Sequence, residues 1–157
     1  MTVGEFNQLS KADARKLMLE VCGSTKWANG MVEHRPFATV LDVIEVGGKL
    51  WSETKPNDWL EAFAAHPRIG EKSSSHFSQR EQELSDDDRI QQDLARLNKE
   101  YEAQHNFIFI VFASGKKPAE MLDILGSRIK NDTDTEMRFA AAEQGKIVRH
   151  RLERMFT

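Results

Sequence analysis

Cysteine is nearly missing from this chain. Cys22 is the only one in 157 residues, which rules out an internal disulfide framework and suits a reducing compartment. An excess of charge of one sign is missing too. The 22 lysines and arginines against 25 aspartates and glutamates leave a net charge of −3, and no basic stripe with interleaved aromatics appears, so nucleic acid is not an expected partner. No apolar run is long enough to span a bilayer, and the first residues lack the charged-then-apolar order of a signal peptide. A cytoplasmic protein with no membrane partner is the expectation. Phosphate loops and serine-centred elbows are absent: Gly47-Gly48 sits inside a helical pattern, and Gly115-Lys116-Lys117 lacks the glycines of a P-loop. Among the histidines, His66 and His76 lie ten apart, His34 precedes Arg35-Pro36, and no HxxxH spacing occurs, so no metal is expected.

What is present is apolar material at helical spacing. With 39% hydrophobic residues, the chain can build a real core, and a single domain over residues 1–157 is expected. Ser10 reads as an N-cap, followed by the stripe Ala14, Leu17, Met18, Val21 and Cys22 before Gly23. On that stripe Cys22 reads as a buried structural thiol rather than a nucleophile. Arg35-Pro36-Phe37 interrupts the chain, Val40, Leu41, Ile44 and Trp51 resume helical spacing, and Pro56-Asn57 opens the next helix. Residues 70–77 read as a mobile surface loop, and Ile90, Leu94, Leu97 and Tyr101 mark a longer helix with Asp86, Asp87 and Asp88 at its start. Pro118 begins a helix carrying Met121, Leu122, Leu125 and Ile129, and Thr133 to Thr135 open the last one. The hexamer Phe107–Phe112 is the only strand-like segment. One strand cannot make a sheet, so the expected fold class is all-α: a bundle of about seven to nine helices with one buried extended connector at about 107–112.

Four features carry chemistry. In Leu60–Gly70, Trp59, Leu60, Phe63 and Ala64 repeat at helical spacing and Pro67 forces a stop. His66 is thereby placed at a helix C-terminus, where the negative end of the dipole favours the imidazolium that a proton donor needs. The connector leaves peptide groups without regular partners, so either neighbouring side chains and water satisfy Phe109, Ile110, Val111, Phe112 and Ala113, or an amide-rich ligand does. Ser78-Gln79-Arg80-Glu81 fits a capping box, with the alternative that Ser78, Glu81 and Gln82 use their side chains on a ligand at a cleft rim. Finally, Met137, Ala140, Ala141, Ile147, Val148, Leu152 and Met155 form a stripe that includes Arg151 but not Arg149 or Arg154. Arg151 therefore needs a buried partner or an anionic ligand.

Eight segments, in order, make the chain resemble the 2-oxo-4-hydroxy-4-carboxy-5-ureidoimidazoline (OHCU) decarboxylase family of urate breakdown. They are Phe6-Asn7, Cys22-Gly23-Ser24, Arg35-Pro36-Phe37, His66-Pro67-Arg68-Ile69-Gly70, Ser78-Gln79-Arg80-Glu81-Gln82, Leu97-Asn98-Lys99-Glu100-Tyr101, Phe107–Val111 and Arg151-Leu152. The resemblance implies an all-α homodimer that converts OHCU to (S)-allantoin with no metal or organic cofactor. It implies a catalytic role for His66, Glu81 and Arg151. It further implies substrate contacts from Pro67, from Ser78, Gln79, Arg80, Glu81 and Gln82, and from the main chain of Phe109 to Ala113. Rival readings are a noncatalytic ureide-binding or scaffold protein of the same fold, and a hydrolase acting on a neighbouring ureide. One departure stands out: His105-Asn106 replaces the family's usual Phe-Gly before the hexamer, and Asn tolerates left-handed geometry better than most residues, so the turn is expected to survive.

Overall fold

The computed structural model describes residues 1–68 and 88–157. Among the described residues there are eight helices and no strand: α1 (Val3–Gln8), α2 (Lys11–Val21), α3 (Thr25–Glu33), α4 (Val40–Ser52), α5 (Pro56–Ala64), α6 (Asp88–His105), α7 (Pro118–Arg128) and α8 (Thr133–Met155). The all-α expectation holds. The capping expected of Ser78, the start of the helix at Asp86 and Asp87, and the loop at 70–77 lie outside the described residues. The chain divides into two compact units, Met1–Ala65 with Gly145–Thr157, and His66–Gln144.

In the first unit, polar caps set the helix boundaries. Ser10 accepts the N–H of Asp13, Ser24 that of Trp27, and Thr39 that of Asp42, whose carboxylate reaches back to the Thr39 N–H. Pro56 occupies the first turn of α5, where a missing N–H costs nothing. The core gathers Phe6, Met18, Trp27, Met31, Val43, Phe63 and Leu152. Two helices turn differently from their apolar spacing. α4 buries Val43, Gly47 and Trp51 while Leu41 is exposed, and α5 buries Ala62 and Phe63 while Leu60 and Ala64 are exposed. Small residues decide this, because they permit close approach. A Cβ on Gly47 would stand 2.7 Å from a Leu152 methyl, and the Gly47 carbonyl accepts the Trp27 indole N–H at 2.9 Å.

Two of the sequence motifs are girders of this unit. The Asn7 side chain exchanges two 2.9 Å hydrogen bonds with the main chain of Phe37. Arg35 caps the carbonyls of Phe6 at 3.0 Å and Leu9 at 2.7 Å while lying over the Phe6 ring. Cys22 is buried, as expected, and desolvation pushes its thiol up to about 12 against the weaker pull of a main-chain hydrogen bond at Ser24 and of Arg151. Thiolate is therefore scarce near neutrality. Iodoacetamide at pH 8 is expected to leave Cys22 unmodified in the folded protein and to alkylate it promptly in denaturant, as followed by mass spectrometry; prompt labelling of the folded form would contradict this burial.

In the second unit, one carboxylate ties four segments together. Glu136 at the start of α8 is fully buried. Its Oε1 accepts from the Tyr101 hydroxyl of α6 at 2.6 Å and from Arg128 Nε of α7 at 2.9 Å, and Oε2 accepts from Asn131 at 2.8 Å. Arg128 continues the chain of contacts by donating from Nη1 to the Ile110 carbonyl and lying 4.7 Å from the centre of the Phe109 ring. Burial first, and then the Glu136 carboxylate that accepts its proton, hold the Tyr101 phenol far above its ordinary range, so it remains a donor. Asn106 takes φ of 65° and its N–H bonds the Glu102 carbonyl at 2.9 Å, ending α6 by the left-handed turn that asparagine tolerates. His105, beside it, is buried against Tyr101 and bonds Thr133 Oγ1 at 2.8 Å.

Candidate functional site

His66 is delivered by the stop at Pro67. α5 ends at Ala64, Ala65 caps it with its N–H on the carbonyls of Ala62 and Phe63, and the half-buried His66 follows. Two attachments within the second unit then fix it. Arg68 Nε grips both Glu102 carboxylate oxygens at 2.8 and 3.0 Å, tying the segment to α6. The His66 ring itself meets α8, with Nε2 2.6 Å from Gln144 Oε1. A titratable ring held at one nitrogen by a fully buried amide is a candidate for directed proton transfer.

The connector is extended from residue 107 onward, as the apolar hexamer predicts, with Phe109, Ile110 and Val111 buried and Phe112 and Ala113 half-buried. Side chains satisfy part of its main chain. Arg128 takes the Ile110 carbonyl, Glu143 Oε1 accepts the Phe112 N–H at 3.1 Å, and Lys116 Nζ donates to the Phe112 carbonyl at 2.8 Å. A turn closed by Lys116 N–H on the Ala113 carbonyl at 3.0 Å, with Gly115 at φ 76°, then leads into α7. Among the described residues, no hydrogen bond reaches the main chain of Phe109 or Val111. Side chains thus serve Ile110 and Phe112, and among the described residues the main-chain groups of Phe109 and Val111 are left without partners.

Arg151 belongs to the first unit. It is almost fully buried, and Nη1 donates to the Val21 carbonyl at 3.0 Å, placing a cation at the carbonyl end of α2. Its neighbour Arg149 is exposed and paired with Glu153, as the stripe predicted. Ser78, Gln79, Arg80, Glu81 and Gln82 lie outside the described residues. His66, Pro67 and the segment from Phe109 to Ala113 all fall in the second unit. Among the described residues, no group of three His, Cys, Asp or Glu side chains could hold a metal ion, and no helix is long and apolar enough to cross a membrane.

Sequence reasoning missed Gln144, Glu136, Arg128 and Glu143. The signal for two of them was present. Glu136, Ala140, Gln144, Ile147 and Arg151 share the buried face of α8 at steps of three and four, so the argument that singled out Arg151 applies equally to Glu136 and Gln144. Arg128 and Glu143 read as ordinary helix-surface charges, and only the path of the connector gives them partners.

Known proteins resemble this chain over most of its length. The sequence pattern of the OHCU decarboxylase family matches residues 7–153. The "Uric acid degradation bifunctional protein TTL" of Arabidopsis thaliana is 37% identical over 147 residues, covering 87% of this chain and 45% of that protein. The uric acid degradation bifunctional protein of Bacillus sp. (strain TB-90) is 26% identical, covering 99% of this chain and 32% of its own length. The chain therefore spans less than half of these relatives. A crystal structure of OHCU decarboxylase in the presence of (S)-allantoin superposes with a TM-score of 0.80 at 35% identity, covering 89% of this chain and 96% of that one. An (S)-allantoin synthase structure at 18% identity and TM-score 0.75, covering 100% of this chain and 54% of that one, shares the fold.

Proposed function

The chain belongs to the OHCU decarboxylase family, and from that membership we propose that it is a carboxy-lyase converting OHCU to (S)-allantoin in urate catabolism. The observation that carries the reading is the His66 ring held at 2.6 Å by Gln144, in a chain 35% identical to an OHCU decarboxylase crystallised in the presence of (S)-allantoin.

The substrate's own functional groups make the chemistry accessible. The carboxylate leaves as CO2 from a carbon that also bears a hydroxyl, the electron pair of the broken bond is accepted by the adjacent ring C=N, and the ring nitrogen takes up a proton from solvent. Collapse of the hydroxyl to a carbonyl then requires a proton on the neighbouring carbon, which becomes the stereocentre. His66 delivers that proton to one face, having taken one from the hydroxyl. The amides of Phe109 and Val111, with Ala113, hold the ureide in one orientation, which stereospecific protonation demands. Pro67 packs against the ligand, while Ser78, Gln79, Arg80, Glu81 and Gln82 bind its polar groups. Glu81 accepts ureido or ring N–H groups, and Arg151 receives an anionic or carbonyl oxygen. A single domain over residues 1–157, a homodimer and a cytoplasmic setting complete the reading. The family likeness supports the dimer, and sedimentation measures it.

The test is a coupled assay in which urate oxidase and hydroxyisourate hydrolase generate OHCU and circular dichroism follows the product. Optically active allantoin should appear faster with the protein than without it, with one CO2 released per turnover. Binding of (S)-allantoin with no acceleration would leave a noncatalytic ureide binder, and consumption of a ureide without CO2 would mark a hydrolase.

A further inference from the structure

Gln144 has no assigned part in this chemistry, yet its position is hard to explain as packing. It is fully buried, and its amide Nε2 has no hydrogen-bond partner among the described residues. An unpaired buried donor costs roughly 1–3 kcal/mol, a cost that methionine, of similar volume, would not incur. Among the described residues, the polar interaction that offsets it is the 2.6 Å contact between Gln144 Oε1 and His66 Nε2.

We infer that Gln144 is a positioning residue that fixes the tautomer of His66, keeping Nε2 protonated so that Nδ1 is the nitrogen that exchanges a proton with the ligand. An amide oxygen has no proton to give, so the hydrogen between the two atoms belongs to the imidazole. With Nε2–H committed to Gln144, the neutral ring carries its lone pair on Nδ1. The cation adds its second proton there, and titration passes through that one atom. The mounting is rigid. Residue 144 lies in the same turn of α8 as Ala140 and Ala141, both buried, and its neighbour Glu143 accepts the Phe112 N–H at 3.1 Å. Adjacent residues of one helix thereby register the histidine against the connector, the two parts assigned above to proton transfer and ligand orientation. What the exchanged proton is used for rests on the decarboxylase reading; the tautomer does not.

The experiment is a long-range proton–nitrogen correlation spectrum of uniformly 15N-labelled protein, with the His66 ring assigned by its loss in His66→Asn. Above its titration, the wild-type ring should show a protonated, pyrrole-type Nε2 and a pyridine-type Nδ1. Gln144→Met should release the tautomer into a mixture and lower kcat about tenfold, with KM changed by less than about twofold. Gln144→Glu keeps an acceptor and adds a charge that favours the imidazolium, so it should retain the tautomer and move the alkaline limb of the kcat profile to higher pH. A pyridine-type Nε2 in the wild-type spectrum overturns the inference, as does Gln144→Met with an unaltered tautomer and kcat. Should Gln144→Met fail to fold, the wild-type spectrum and Gln144→Glu decide. A protein that turns over no OHCU but shows the pyrrole-type Nε2 refutes the proposed activity and leaves the tautomer assignment standing.

Discussion

Replacing His66 with asparagine is expected to lower the rate of (S)-allantoin formation by about a hundredfold to ten-thousandfold, the range that a positioned general acid–base group contributes. Asparagine is the informative choice because it stays polar while no side-chain atom titrates near neutrality; its amide overlays Nδ1 and falls short of the Nε2 position that meets Gln144. The ring is half-buried rather than part of the core, so the cost to folding is small. Far-ultraviolet circular dichroism and the melting temperature should match wild type. Product that still forms should lose its optical activity, since decay in water protonates either face. A variant that made (S)-allantoin at the wild-type rate would remove His66 from the mechanism.

The largest expected effect on stability lies elsewhere, at Glu136. Glu136→Leu removes the carboxylate that receives Tyr101, Arg128 and Asn131 and leaves the nearly buried Arg128 guanidinium without its counter-ion. Breaking a buried pair from one side costs about 3–5 kcal/mol, which for a domain of this size lowers the melting temperature by about 10 °C. Glu136→Leu combined with Arg128→Met should be less damaging than Glu136→Leu alone, because no uncompensated charge remains. Thermal melts of the wild type, both single variants and the double variant test this. If the double variant loses as much as the two single losses added together, the charges do not act as a pair.

Much of the fold was legible because helix punctuation is local. Ser10, Ser24, Thr39, Pro56 and Pro118 act where they stand in sequence. The faces of α4 and α5 were less so, since Gly47 and Ala62 are placed by what approaches them, and nothing in their own helix announces it. The site divides the same way. Arg151 betrayed itself by sitting on an apolar stripe, and Asn106 by replacing a glycine, whereas Arg128 and Glu143 acquire their roles from a connector distant in sequence. The segments behind the family resemblance divide too. Asn7, Arg35 and Ser24 hold the fold through main-chain hydrogen bonds, and Tyr101 does so through Glu136. A signature can thus mark a family strongly through letters that hold the fold.

The connector carries one further consequence. Phe107–Phe112 is six consecutive aromatic and β-branched residues with no charge and no proline, the composition of segments that stack into cross-β fibrils once released. In the folded chain its main chain is partly occupied by Arg128, Glu143 and Lys116, and Phe107, Phe109, Ile110 and Val111 are buried. The groups that anchor the connector therefore also act as gatekeepers against self-association. When they let go, the released segment is free to stack, so the lifetime on heating is expected to follow the rate of opening rather than a reversible balance, and a thermal midpoint that does not shift with scan rate would contradict this.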